Sequence, residues 1–322
     1  MNVRADILLR ALAIISVTYN HAHPYSTFVL GWGGGMTFLM MLSGYNFARF
    51  GMREGTPEKA RDYLFRLGWG IVVPSLIAVV FFFLLLQKFN LAELLFYRNW
   101  LTPERVAKFP TWYPQVILQM FAGLFLLFSI PSVARAILRR PLAWSLGVFA
   151  FALAVRALSP LVWDTVPLEH HLPHLYLWNF CLGWLVYFAL KEWPSPWSKL
   201  AVVVCAALGA TVHWGYDRLT FYWLTVGTAL LVIPLDLRMP SKLGQFFHLV
   251  SQATLAIFLL HRFFYEVYEH MPIPQDQDVM WLMGLFGSLA TWILWTAAVR
   301  AFRYIRRQTV AGPADAPFDA TA

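Results

Sequence analysis

Charge is scarce in this sequence. Asp, Glu, Lys and Arg make up 13% of its 322 residues, about half of the roughly 25% usual in soluble domains. With 59% hydrophobic residues and a mean hydropathy of +0.57, a water-soluble plan is excluded and the chain reads as an integral membrane protein. Cysteine is nearly absent. Cys181 and Cys205 both stand in apolar runs, which excludes a disulfide framework and leaves two small buried hydrophobes. Also missing is any connection long enough to form a separate soluble domain, so chemistry must be built in or just above the helices. The net charge of +8 comes from cations scattered in short clusters, which excludes a nucleic-acid surface and reports topology instead. Arg10 interrupts the first apolar run and no small-x-small site precedes His21, so that run is a helix and not a signal peptide. Gly33-Gly34-Gly35 lacks the preceding strand and following Lys-Ser of a phosphate loop, and reads as close helix packing or an unwound helix start. His170, His171 and His174 have no cysteine nearby and Pro173 interrupts them. No metal site is expected there, and a polar acceptor is the alternative use.

Long apolar runs dominate what is present. At about 20 apolar residues per crossing, shorter where helices break or tilt, the sequence predicts an all-α bundle of about ten transmembrane helices. They lie near residues 6–22, 33–50, 67–87, 112–130, 142–162, 174–190, 199–214, 220–235, 247–268 and 279–302. One alternating set of connections holds most of the 25 Lys and Arg, from Arg4 through Arg49, Arg53, Lys59, Arg61 and Arg66 to Arg300, Arg303, Arg306 and Arg307. That places these segments and both termini in the cytoplasm. The other set carries Glu93, Glu104, Asp164, Glu169, Asp217, Glu269, Asp276 and Asp278 with most of the histidines, and faces outside. Residues 1–307 are expected to form one transmembrane domain. The Ala/Pro/Asp-rich stretch 308–322 is expected to be a disordered cytoplasmic tail.

Two polar residues mark the first helix. Arg10 and His21 are eleven positions apart, about three full turns, so they share a face at depths roughly 16–17 Å apart. A guanidinium in hydrocarbon costs about 2.5–3.5 kcal/mol on insertion scales and is tolerated beside a partner or a water-filled cavity. The bland account pairs Arg10 with Asp6 one turn away and lets it snorkel to the headgroups, with His21 as an interfacial polar residue. The sharper account turns both toward one internal passage.

The segment "RALAIISVTYNH" has the arginine, ten residues, histidine spacing of the acyltransferase-3 family of membrane acyltransferases, of the O-acetylase type. The following "GWGGGMTFLMMLSGYNFARF" is similar to that family's glycine-rich entry into a helix with a Ser-Gly-aromatic signature, here Ser43-Gly44-Tyr45. Lesser likenesses continue along nearly the whole chain. "TWYPQVILQMFAGLFLLFSIP" resembles an aromatic-rich fourth helix, with Gln115 and Gln119 where many members have a glutamate. "LYLWNFCLGWLVYFAL" resembles a Phe-x-x-Gly segment, and "SQATLAIFLLHRFF" a terminal helix with a histidine, His261. The arginine pair that many relatives place before the third helix is matched only by Arg61 and Arg66, at another spacing.

The resemblance implies transfer of an acyl group, commonly acetyl, from acyl-CoA in the cytoplasm to a hydroxyl of an extracytoplasmic carbohydrate or glycolipid. Acyl-CoA is then a substrate, with no permanently bound cofactor and no metal. The partners are an envelope glycan or lipid-linked sugar and the bilayer, without nucleic acid, and a homo-oligomer is compatible with this. A bacterial inner membrane is the implied setting. Arg10, with Arg61 and Arg66, is expected to hold the donor phosphates, and His21 to act as general base. Ser43, Tyr45 and Gln115 are candidate oxyanion donors, Trp112 and Tyr113 candidate sugar platforms, and His261 a further substrate or oxyanion candidate. Direct attack on the thioester is preferred to an acyl-histidine intermediate. The competing reading is a proton-coupled transporter or flippase of an envelope precursor, in which Arg10 binds the substrate and His21 relays protons.

Overall fold

The computed structural model describes residues 1–23, 35–53, 55–86, 89–101, 111–162, 171–214, 218–233 and 236–310. Gly33, Gly34, His170, Glu104, Asp164, Glu169, Asp217 and residues 311–322 lie outside the described residues. In chain order the elements are β1 (Asn2–Arg4), α1 (Ala5–Ala22), α2 (Gly35–Asn46), α3 (Pro57–Leu86), α4 (Leu91–Leu94), α5 (Trp112–Phe128), α6 (Pro131–Arg139) and α7 (Pro141–Val162). They continue with α8 (Pro173–Glu192), α9 (Pro196–Trp214), α10 (Arg218–Val232), β2 (Asp236–Arg238), α11 (Ser241–Gln252), α12 (Thr254–Glu269) and α13 (Gln277–Val310). A π-helical turn, Phe47–Gly51, extends α2, and a 3-10 turn, Arg98–Trp100, follows α4. The chain is thus an all-α membrane bundle. Helix α13 continues to Val310, past position 307 where the sequence suggested that a tail begins.

Each predicted span overlaps a helix, but the count of ten is not reached on length and apolarity. Among the described residues four helices qualify, Pro57–Leu85, Pro141–Leu161, Pro196–His213 and Gln277–Arg306. Two bent pairs raise the number to six: α5 with α6 at 97° and α11 with α12 at 82°. The four qualifying windows are only 22%, 28%, 33% and 22% buried, so their apolar side chains face outward. Leu84, Leu161 and Leu294 are among the exposed ones. The central helices have a different solvent. Nine of the 12 residues of α2 and 13 of the 20 residues of α8 are buried by protein. Polar side chains are tolerated there because neighbouring helices replace lipid.

Helices α2 and α8 approach backbone to backbone. A Cβ on Gly44 would collide with the Phe180 carbonyl, and one on Gly183 with the Met41 carbonyl. Small residues permit such contact between membrane helices. The glycine of Ser43-Gly44-Tyr45 therefore packs on the Phe-x-x-Gly segment, Phe180 to Gly183, and the contact sets where Ser43 sits.

One end of the bundle gathers basic segments distant in sequence. Strand β1 pairs antiparallel with β2, Asn2 opposite Arg238 and Arg4 opposite Asp236. The Met1 ammonium donates to the Met239 carbonyl at 2.7 Å. Arg4 pairs with Asp6 at 2.5 Å, and Arg49 reaches the same carboxylate at 3.6 Å. No strand is predicted from the sequence. At the opposite end His23 meets Asp278, at the start of α13, at 3.1 Å.

Candidate active site

Arg10 is half-buried and lines a cavity of about 500 Å³ between α1, α2, α3, α5, α11 and α12. Asp6, Ser43, Tyr63, Arg66 and Tyr113 share its wall, and Phe258 stands at its α12 side. Asp6 shares the cavity wall but makes its direct ion pairs with Arg4 and Arg49, not with Arg10. Among the described residues no carboxylate lies within ion-pair distance of Arg10. A guanidinium so placed presents its donors to the cavity, where an anion can meet them in the bidentate manner that arginine favours. The bend between α11 and α12 also feeds the wall, through Ser251, Gln252 and Thr254. These polar residues interrupt the apolar run 247–268 that was predicted as one span, and that interruption was the available signal.

His21 stands in the last turn of α1. Its Nδ1 lies 2.7 Å from Nε2 of His261 on α12, with the rings nearly parallel at 14° and their centroids 5.0 Å apart. His261 is fully buried, and its Nδ1 lies 3.0 Å from the Ile257 carbonyl. The Tyr265 hydroxyl donates to the Thr18 carbonyl at 2.7 Å, and the Trp281 indole N–H to the Thr18 hydroxyl at 3.2 Å. Thus α12 and α13 both grip α1 one turn below His21. Arg10 lines a cavity to whose wall α12 contributes, and His21 meets α12 directly through His261. Among the described residues the cavity does not reach His21, however. The cavity ends at Tyr113 and Phe258, whose rings are 5.3 Å apart. The Phe258 ring lies 6.1 Å from that of His261, so an aromatic layer separates the cavity from the histidine pair.

The other sequence candidates divide sharply. Ser43 lines the cavity; its hydroxyl donates to the Leu39 carbonyl at 2.9 Å and sits 3.4 Å from the Tyr113 hydroxyl. With the Ser43 proton so engaged, Tyr113 is the donor of that second bond. Arg66 lines the cavity, whereas Arg61 is outside its wall with Nη2 3.8 Å from Glu58. Tyr45 packs edge-on against Tyr187 at 5.6 Å, away from the wall. Trp112 is no open platform, for its ring is covered by His171 at 3.9 Å and Tyr176 at 5.5 Å. Gln115 is consumed by structure. Its amide N–H groups donate to Glu93 at 2.8 Å and Thr111 at 3.0 Å, and its oxygen accepts the Asn99 N–H at 2.9 Å.

Glu93 was read from the sequence only as an outer charge, yet it is 1% exposed. It accepts from Arg98 at 2.7 Å, from Gln115, and from the Thr111 hydroxyl. Gln119 donates to the Phe96 carbonyl at 2.6 Å, closing the turn in which Phe96 takes a left-handed φ of 56°. This network pins segment 89–101 to the start of α5, beside Trp112 and Tyr113. Only the density of polar side chains in "FYRNW" and "TWYPQVILQ" signalled it. Glu93→Ala would strand Arg98 and two buried donors, and losing one partner of a buried ion pair costs about 3–5 kcal/mol. A large fall in the melting temperature of the purified protein is expected, and an unchanged one would show that the network is dispensable.

A profile of the acyltransferase domain of the acyltransferase-3 family matches residues 7–300. No curated protein and no solved structure matches the chain.

Proposed function

We propose, from the premise that this chain belongs to the acyltransferase-3 family, that it moves an acyl group, acetyl first among them, from cytoplasmic acyl-CoA to a hydroxyl of an extracytoplasmic carbohydrate or glycolipid. It is an integral membrane acyltransferase, and a bacterial inner membrane is its setting in this reading. One observation supports the proposal: a half-buried arginine, with no carboxylate within ion-pair distance among the described residues, lines a cavity near the start of the helix that carries a histidine in its last turn. The cavity volume of about 500 Å³ falls in the roughly 300–1,000 Å³ range of small-molecule sites.

Arg10, with Arg66, takes the donor phosphates, while Arg61, outside the wall, contributes little. The thioester arm then rises toward Ser43 and Tyr113 and reaches the histidine pair when the rings of Tyr113 and Phe258 part. The acceptor hydroxyl oxygen attacks the thioester carbonyl carbon as its proton passes to His21. The resulting oxyanion is met by the Tyr113 hydroxyl, which gives up its bond to Ser43. The C–S bond breaks, the proton returns from His21 to the sulfur, and an ester and free CoA thiol leave.

The test uses purified full-length protein, radiolabelled acetyl-CoA and alkali-stripped envelope glycan from cells that carry the gene. Alkali-labile label on the glycan is expected. A glycan that crosses membranes without acquiring label would instead support the transporter reading.

A further inference from the structure

We infer that His261 is a positioning residue that decides which nitrogen of His21 is the base: it accepts the Nδ1–H of His21 and so leaves the lone pair of His21 on Nε2. This rests on the reading of His21 as general base and adds to it a second residue, 240 positions away in sequence.

The argument runs through three atoms. A carbonyl oxygen can only accept, so His261 Nδ1, 3.0 Å from the Ile257 carbonyl, carries a proton. A neutral imidazole protonated there has its lone pair on Nε2. That nitrogen lies 2.7 Å from Nδ1 of His21, and two unprotonated nitrogens would repel at this distance. The proton between them therefore belongs to His21 Nδ1. The remaining lone pair of His21 is then on Nε2, the atom turned away from α12. When Nε2 collects the proton of an acceptor hydroxyl, the Nδ1–H bond to His261 becomes charge-assisted and strengthens. The base is stabilised in the state the reaction creates.

His261 is suited to hold and not to react. Its ring is fully buried, Nδ1–H is committed to its own helix, and Nε2 is committed to His21. It has no N–H left for an oxyanion and no lone pair left for a substrate proton, so the substrate and oxyanion roles suggested by the sequence do not fit. The grip on α1 is set one turn away by the Tyr265 bond to Thr18 at 2.7 Å, and the Tyr265 ring stands edge-on to His261 at 5.4 Å. In serine hydrolases a carboxylate orients the histidine from its Nδ1 side. Here a neutral imidazole does so, which avoids placing an anion between membrane helices.

The test compares His261→Gln with His261→Leu in the acetyl-transfer assay with radiolabelled acetyl-CoA. The Gln amide oxygen can replace Nε2 as acceptor, and Leu cannot. His261→Leu is expected to lower kcat by about 100-fold or more with KM for acetyl-CoA little changed, and His261→Gln to recover most of the loss. Wild-type kcat in His261→Leu, or equal loss in a folded His261→Gln, would overturn the inference. A second readout, which needs no His261 variant, is the nitrogen-15 histidine spectrum of the wild-type protein, with the His21 signals assigned by their loss in a folded His21→Ala. A proton on Nδ1 of neutral His21 is expected, and one on Nε2 overturns the assignment. Full activity in His21→Ala would bring down the general-base reading itself, whereas an inactive His21→Ala beside a fully active His261→Leu removes only the role of His261.

Discussion

His21→Ala is expected to lower kcat for acyl transfer by about 10²–10⁴-fold, the usual contribution of a positioned general base, while KM for acyl-CoA stays near its wild-type value. A neutral hydroxyl is a poor nucleophile toward a thioester, so removing the proton acceptor acts on the chemical step. Donor binding should survive, because the cavity that Arg10 lines stops at Tyr113 and Phe258 and does not include His21. Steady-state kinetics with varied acetyl-CoA separates these effects. A variant with normal kcat contradicts the assignment, and one with a raised KM alone would mean that His21 binds the donor.

Arg10→Ala should give the opposite pattern. Hydrogen bonds to charged groups are worth about 1.5–3 kcal/mol, so KM for acetyl-CoA is expected to rise roughly ten- to hundredfold, with a smaller effect on kcat. The loss follows from the phosphates and not from the acyl group. A phosphate-free thioester, S-acetyl-N-acetylcysteamine, should therefore be used equally well by wild type and variant. Equal impairment with both donors would mean that Arg10 shapes the cavity instead of holding phosphate. Arg10→Lys keeps the charge but loses the planar fork, and should fall between the two.

How much of this was legible in the sequence varies with the range of the interactions involved. The relation of Arg10 to His21 lies within one helix and follows from its pitch. The Ser-Gly-Tyr and Phe-x-x-Gly segments were readable as family features, but not that Gly44 and Gly183 let their two helices touch. Hydropathy marked ten segments because it averages over windows. It cannot separate a helix solvated by lipid from one solvated by protein, nor see the 97° and 82° bends that split two segments. Gln115 and Trp112 were attractive as isolated side chains. Their partners, Glu93 and Asn99 for one and His171 and Tyr176 for the other, come from segments whose pairing no local pattern encodes. The same holds for His21 and His261, and for the strand that joins residues 2–4 to 236–238.

The aromatic layer between cavity and histidine pair has a physical consequence. With Tyr113 and Phe258 in contact, the proposed mechanism has His21 shielded from the cavity until a thioester arm displaces the two rings. Water reaching His21 from the cavity would otherwise compete with the acceptor hydroxyl, and excluding it suppresses hydrolysis of the donor.

The most direct measurement seals the protein in vesicles of uniform orientation, with radiolabelled acetyl-CoA only on the face where β1 and β2 pair and the glycan acceptor only on the other. Label should appear as ester on the acceptor, and reversing the two compartments should abolish it. Label that forms only when donor and acceptor occupy the same compartment would contradict a helix that takes its donor at Arg10 and delivers the acyl group at His21.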